Sequence, residues 1–334
     1  MTARARPTPA GQVVLGDIQA PVGASLARVG EEMWRIVAVD SALLNGVSEH
    51  LMLMKGKMLR PTLLLLSSEV DGVAEPRAAS YAAVVELIHL ATLVHDDAVD
   101  HSVLRRGMPT INALFTHQVA VIAGDFLYSR AVQELVRLGD LEALRVFAKA
   151  SNELTLGEMR QLSALDALKF SEDDYEFLIR AKTAALFSGA CEVGALCGAS
   201  KFREAMAAYG SHLGMAFQVV DDLLDYTEAS ETVGKPTGLD LKEHKVTLPL
   251  IAALRSMSGA SRAAVDELFA SPEPDDTQIS RVIDIVIEEG GLEYARERGE
   301  RYAARADDVL TGLPDSPARR ALQDTLTYVM ERRA

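Results

Sequence analysis

Leu87-Ile88-His89-Leu90-Ala91-Thr92-Leu93-Val94-His95-Asp96-Asp97-Ala98-Val99-Asp100 is an apolar run that ends abruptly in three aspartates. Its apolar residues recur at three- and four-residue spacing, which predicts a helix. The arrangement returns in Phe217-Gln218-Val219-Val220-Asp221-Asp222-Leu223-Leu224-Asp225. Positions i and i+4 share a helix face, so Asp96 pairs with Asp100 and Asp221 with Asp225. Carboxylates crowded beside apolar residues repel one another and are costly to ionise. Something cationic has to compensate. Hard oxygen ligands with little His or Cys favour Mg²⁺, which takes a few carboxylates and completes its shell with water and phosphate oxygens. In a chain with 48 acidic residues, one such motif is more often a solvated helix end. Two copies, each closing an apolar helix, are hard to obtain by accident.

The helical pattern extends in both directions. Ser80–His95, 119–138, 141–156, 173–186 and 203–224 all carry it, and Gly- and Pro-containing breaks separate them. No stretch shows convincing strand alternation. An all-α protein of about a dozen helices follows. With 334 residues, 49% hydrophobic and 25% charged, the chain can bury one large core. No composition shift divides it, so residues 19–334 are expected to form one domain and residues 1–18 a loose arm. The longest apolar runs, such as Leu63 to Leu66 and Ala190 to Leu196, are short or charge-interrupted, so no membrane span is expected.

A net charge of −14 speaks against nucleic acid as partner, since that requires a basic face. It does not exclude phosphorylated small molecules held through metal ions and a few local cations. Cys191 and Cys197 form neither a CxxC pair nor a disulfide framework; they fit core packing in a reducing, cytoplasmic compartment.

The basic residues cluster near the acidic motifs. Lys57 and Arg60 open an apolar segment, and Arg105-Arg106-Gly107 trails the first motif. Lys182-Thr183 lies within a helical segment, and Gly234-Lys235 and Lys245 trail the second motif. Most such pairs are ordinary surface salt bridges, yet diphosphates call for both metal clamping and bidentate Arg contacts. Gly234-Lys235-Pro236-Thr237 is not a Walker A loop, since the earlier glycine is missing and proline follows the lysine.

Taken in chain order, Gly56-Lys57-x-x-Arg60-Pro61, His89, Asp96-Asp97-x-x-Asp100, Arg105-Arg106-Gly107, Gly124-Asp125, Lys182-Thr183, Phe217-Gln218-x-x-Asp221-Asp222-x-x-Asp225, Gly234-Lys235 and Lys245 resemble the trans-type polyprenyl diphosphate synthases. Within that family the bacterial long-chain octaprenyl, nonaprenyl and decaprenyl enzymes are the most similar. The resemblance covers about residues 50 to 250. It departs at Lys55, where the family usually has Gly, and at Met58, where it usually has a basic residue.

The resemblance implies a single-domain helical bundle of the isoprenoid synthase type around a central active-site cavity. It implies up to three Mg²⁺ held by Asp96, Asp100 and Asp221, with Asp97, Asp222 and Asp225 completing the shells or lying just behind. Arg105, Lys182 with Thr183, Gln218 and Lys235 are expected to grip an allylic diphosphate, with Lys245 nearby. Lys57, Arg60, His89 and Arg106 are expected to hold isopentenyl diphosphate. His95 is expected to be structural. A homodimer is implied.

Thr92 and Ala91 lie four and five residues before Asp96, about 6–7.5 Å deeper along the helix. In the family an aromatic residue there closes the pocket and gives short products. Small residues leave it open, which predicts a long-chain product, with a geranylgeranyl or farnesyl product as the alternative. A class I terpene cyclase normally has an aromatic-rich cavity and a different second motif, whereas this chain is 5% aromatic and repeats DDxxD. An HD-type phosphohydrolase, suggested by His95-Asp96, leaves Lys57, Arg60 and the second aspartate triple unexplained. A non-catalytic partner subunit tends to lose these aspartates, and none is missing.

Overall fold

A helix with no polar stripe must be covered on every side, and Ala78–Val99 organises the molecule for that reason. Residues 80 to 88 are buried without interruption. Gly23–Val37, Leu59–Ser68, His117–Leu138 and Ala185–Leu196 pack around it. This 22-residue helix is the one described helix long and apolar enough to cross a membrane by length and composition alone. Its place is the protein interior, where 72% of its most apolar stretch is buried.

The computed structural model describes residues 13–54, 56–72, 74–162, 167–227 and 237–332. Among these, twelve helices have ten residues or more. The helix of the second motif, Arg203–Thr227, lies between Ala185–Leu196 and Gly291–Leu310. Two apolar clusters fill the interior. One gathers around Leu63 to Leu66, Leu87, Phe147 and Phe187, the other around Tyr175, Met215, Val219, Leu250 and Tyr302.

One local expectation needs correction. A loose arm through residue 18 does not fit, because helix Leu15–Gln19 has begun by then and Ile18 is fully buried in the first cluster. The all-α reading holds, with one two-residue ribbon among the described residues: Leu104–Arg105 pairs antiparallel with Met108–Pro109. Both turn residues, Arg106 (φ 52°) and Gly107 (φ 75°), are left-handed, the requirement of a type I′ hairpin turn. Strand alternation is lost on so short a ribbon, which is why the sequence pattern did not show it.

Candidate active site

The first motif closes its helix. The Asp100 N–H bonds back to the Asp96 carbonyl at 2.8 Å, so the three aspartates occupy the last turn and face different surroundings. Asp97 points inward at 5% exposure. The tight hairpin returns Arg105 to it: Nε donates to both carboxylate oxygens at 2.8 Å, and Nη2 lies 2.7 Å from Oδ1. Arg105 therefore anchors Asp97 here, a bidentate pair that fixes the motif's last turn. Asp96 is half-buried and Asp100 exposed. Burial pushes the Asp96 carboxyl up to about 6; the Lys182 ammonium pulls against this, and the Glu158 and Asp100 carboxylates add to it. A carboxylate held at such cost is ready for a cation.

Lys182 supplies part of that compensation. It sits in a π-helical turn, Arg180–Ala184, set between helices Glu172–Ile179 and Ala185–Leu196. Such bulges occur often at functional sites because they re-aim a side chain. Lys182 Nζ donates to Gln161 Oε1 at 3.0 Å and pairs with Glu158, both on helix Leu141–Leu162. Gly157 allows the close approach: a Cβ there would sit 2.8 Å from Ala181 Cβ and 3.2 Å from Lys182 Cγ. Glu158 and Gln161 were missed in the sequence, where they are an ordinary i, i+3 polar pair on a partly exposed helix.

The second motif divides in the same way. Asp222 is 5% exposed and accepts the Tyr175 hydroxyl at 2.5 Å and the Gln218 Nε2 amide at 2.8 Å. Burial, with Asp240 adding to it, raises its carboxyl well above the usual range. The Gln218 carbonyl oxygen accepts the Thr183 hydroxyl at 2.7 Å. Gln218 and Thr183 thus tie the π-turn to the motif helix. Asp225 accepts the backbone N–H groups of Leu239 and Asp240 at 3.1 and 3.0 Å, capping helix Leu239–Lys242. Asp97 and Asp222 are therefore the buried, structurally bonded members of the two motifs, Asp225 is engaged as a cap, and Asp100 and Asp221 are exposed.

Asp221 is exposed and forms an ion pair at 2.8 Å with Arg332, a residue the sequence did not single out. Arg332 also donates to the Phe217 carbonyl at 3.0 Å and stacks 3.9 Å above the Phe217 ring. The Arg332-Arg333 doublet just after helix Pro317–Glu331 was the available signal. Lys245 links the two motifs electrostatically. Its Nζ pairs with Glu243 at 2.6 Å, and its ammonium also feels Asp100 of the first motif and Asp240 beside the second. Asp240, likewise missed, is pushed up to about 7 by burial, with Asp225 the largest electrostatic contribution. Lys235 and Gly234 lie outside the described residues, as does Lys55.

The other basic group gathers two helical turns before Asp96. The Arg60 guanidinium stacks 4.8 Å from the Phe187 ring centroid, and its Nε is sealed from solvent with no hydrogen-bond partner among the described residues. Burial lowers its pKa to about 10, opposed by Glu86 and reinforced by Arg106. Burial, then Arg60 and Arg106, hold His89 well below the usual histidine value, so its ring is neutral at pH 7. Arg106 Nη1 donates to the Met54 carbonyl at 3.1 Å. Lys57 is exposed, with Nζ 5.9 Å from the Tyr328 ring centroid. His95 lies against Gly124, where a Cβ would sit 2.3 Å from Nε2, and its Nε2 is 3.4 Å from Asp125. That packing accounts for Gly124-Asp125.

Among the described residues, no three acidic, His or Cys side chains gather closely enough to hold an ion alone. The donor set still fits a hard divalent cation. Asp96 and Asp100 offer oxygen ligands from one helix and Asp221 from another, and phosphate oxygens complete a shell of that type.

Comparison with known proteins agrees. The polyprenyl synthetase family signature matches residues 41–286. An all-trans-nonaprenyl-diphosphate synthase (geranyl-diphosphate specific) of Rhodobacter capsulatus is 39% identical over 318 residues, covering 95% of this chain and 97% of that protein. An octaprenyl diphosphate synthase of Escherichia coli is 38% identical over 286 residues, covering 85% and 88%. A polyprenyl synthase from Caulobacter crescentus, solved with calcium and isoprenyl diphosphate, superposes with a TM-score of 0.91 at 33% identity, covering 98% of this chain and 100% of that one. Divalent metal use goes with this family. The chain belongs to the polyprenyl synthetase family, whose members transfer prenyl groups, and it has that family's all-α fold.

Proposed function

We propose that the chain condenses isopentenyl diphosphate with an allylic diphosphate to give a long-chain all-trans polyprenyl diphosphate, with about three Mg²⁺ per site. The observation that carries this is the half-buried Asp96 carboxyl with Asp100 beside it, with Lys182 acting on Asp96 and Lys245 acting on both Asp100 and Asp240 beside the second motif. Asp96, Asp100 and Asp221 would hold the ions, and bound Mg²⁺ supplies charge neutralisation of the departing diphosphate. Lys182 and Lys245 add fixed positive charge on the allylic side, so the allylic C–O bond can break heterolytically. Lys57, Arg60, Arg106 and neutral His89 hold the second diphosphate along the same helix. The double bond of isopentenyl diphosphate then attacks the allylic carbon, and the proton lost passes to the released diphosphate. No nucleophilic side chain takes part.

Product length is read from Ala91 and Thr92. Ala91 is buried at 2% exposure, and the Thr92 hydroxyl is already bonded to the His89 carbonyl at 2.7 Å. Both positions therefore offer a small, mostly apolar surface two turns or less from the aspartates. Ala91→Phe is expected to shorten the product by several isoprene units when extracts are resolved by chain length. The added ring also strains a packed position, lowering stability by about 1–3 kcal/mol. An unchanged product distribution in a folded variant would remove the chain-length argument.

The same reading includes a homodimer in the cytoplasm. Val121 and Ile122 on His117–Leu138, and Leu156, Met159 and Leu162 on Leu141–Leu162, are exposed large apolar residues, the kind of surface a second copy covers.

A further inference from the structure

Helix Ala78–Val99 carries Glu86, one turn before His89, and the residue is 5% exposed. Among the described residues no hydrogen bond or ion pair holds it; only the charges of Arg60 and Arg106 act on it favourably, against the penalty of burial. An acid left without a bonded partner inside a protein is unfavourable, and an acid beside a diphosphate pocket also repels the ligand. Its neighbours give it a purpose. Arg60 and Arg106 are like charges that oppose each other, and each is drawn to Glu86. Arg60 Nε is sealed with no hydrogen-bond partner among the described residues. Arg106 and Glu86 both reach Gly56: a Cβ there would lie 3.0 Å from Arg106 Nη1 and 3.3 Å from Glu86 Oε1.

We infer that Glu86 is a positioning residue for the isopentenyl diphosphate side of the site: its carboxylate meets Arg106 at Gly56, and its charge offsets the repulsion between Arg106 and Arg60. The inference rests on the proposed assignment of that pocket to isopentenyl diphosphate. Glu86 touches no reacting atom; it acts through the two arginines. Arg–phosphate contacts depend strongly on the geometry of the planar fork. Loss of the shared counter-charge lets the two guanidiniums separate and weakens their joint grip.

Glu86→Gln keeps the side chain's size and removes its charge. Steady-state kinetics, with each substrate varied in turn, are expected to show KM for isopentenyl diphosphate raised about tenfold. KM for the allylic diphosphate should stay within about twofold, with the melting temperature unchanged. A structural role alone would instead lower the melting temperature and move both KM values together. That result, or unaltered kinetics, would overturn the inference. If Glu86→Gln fails to fold, Gly56→Ala reads the same geometry from the loop. Its methyl displaces Arg106 from Glu86 and is expected to raise KM for isopentenyl diphosphate selectively; an unchanged value would also overturn the inference. Wild-type protein that forms no elongated product would overturn the underlying assignment, and the inference with it. Active wild type with an indifferent variant overturns the inference alone.

Discussion

Asp96→Asn lowers kcat by about 10²–10³-fold while leaving the fold intact or slightly stabilised. The amide is isosteric and removes a half-buried charge whose ionisation burial opposes, so folding loses nothing. The reaction loses one of the carboxylates that would hold Mg²⁺ against the leaving diphosphate. Removing one group that stabilises developing charge costs about 2.7–4 kcal/mol in comparable sites. Opposite movements of activity and melting temperature are the signature of a residue held at a cost for function. Asp97→Asn should behave differently. It breaks the Arg105 pair, leaves a guanidinium short of its partner and lowers the melting temperature. Equal kinetic losses in both variants, with equal loss of stability, would place Asp96 among the structural residues.

Lys182→Met should reduce kcat/KM for the allylic substrate by about 10²-fold, with a smaller change in KM for isopentenyl diphosphate. Methionine keeps the unbranched stem packed over Gly157 and deletes the ammonium. Glu158 then loses its ion pair, and Asp96 loses the largest favourable charge acting on it. Both changes raise the negative potential where a second anion has to bind. Direct binding of an unreactive allylic diphosphate analogue with Mg²⁺, measured by calorimetry, separates this from a folding defect. Wild-type affinity in Lys182→Met would show that the π-turn lysine serves packing.

Long-range packing decides how much of this could be read from the chain. The all-helical architecture and both motif helices follow from local periodicity, because an apolar run closed by charge encodes its own burial and its own end. Ala78–Val99 is the clearest case. The division of labour inside each motif does not follow. Asp96 and Asp97 are adjacent and chemically identical, and only the hairpin at Arg106-Gly107 determines which one Arg105 meets. The chain of hydrogen bonds from Thr183 through Gln218 to Asp222 likewise exists only once the fold aligns two segments 35 residues apart. Tyr175, Glu158, Asp240 and Arg332 come from four other segments and reach the site through tertiary packing alone. The π-turn at Arg180–Ala184 is likewise invisible to a period of 3.6 residues.

One incubation decides whether both motifs serve a single elongation site. Purified protein is supplied with isopentenyl diphosphate, an allylic primer and Mg²⁺, and products are resolved by chain length with and without excess EDTA. All-trans products longer than geranylgeranyl diphosphate are expected with Mg²⁺, and none after chelation. Elongation that continues undiminished in EDTA, or the absence of any elongated product with every primer tried, would refute a metal-dependent prenyl-elongating site built from the two aspartate motifs.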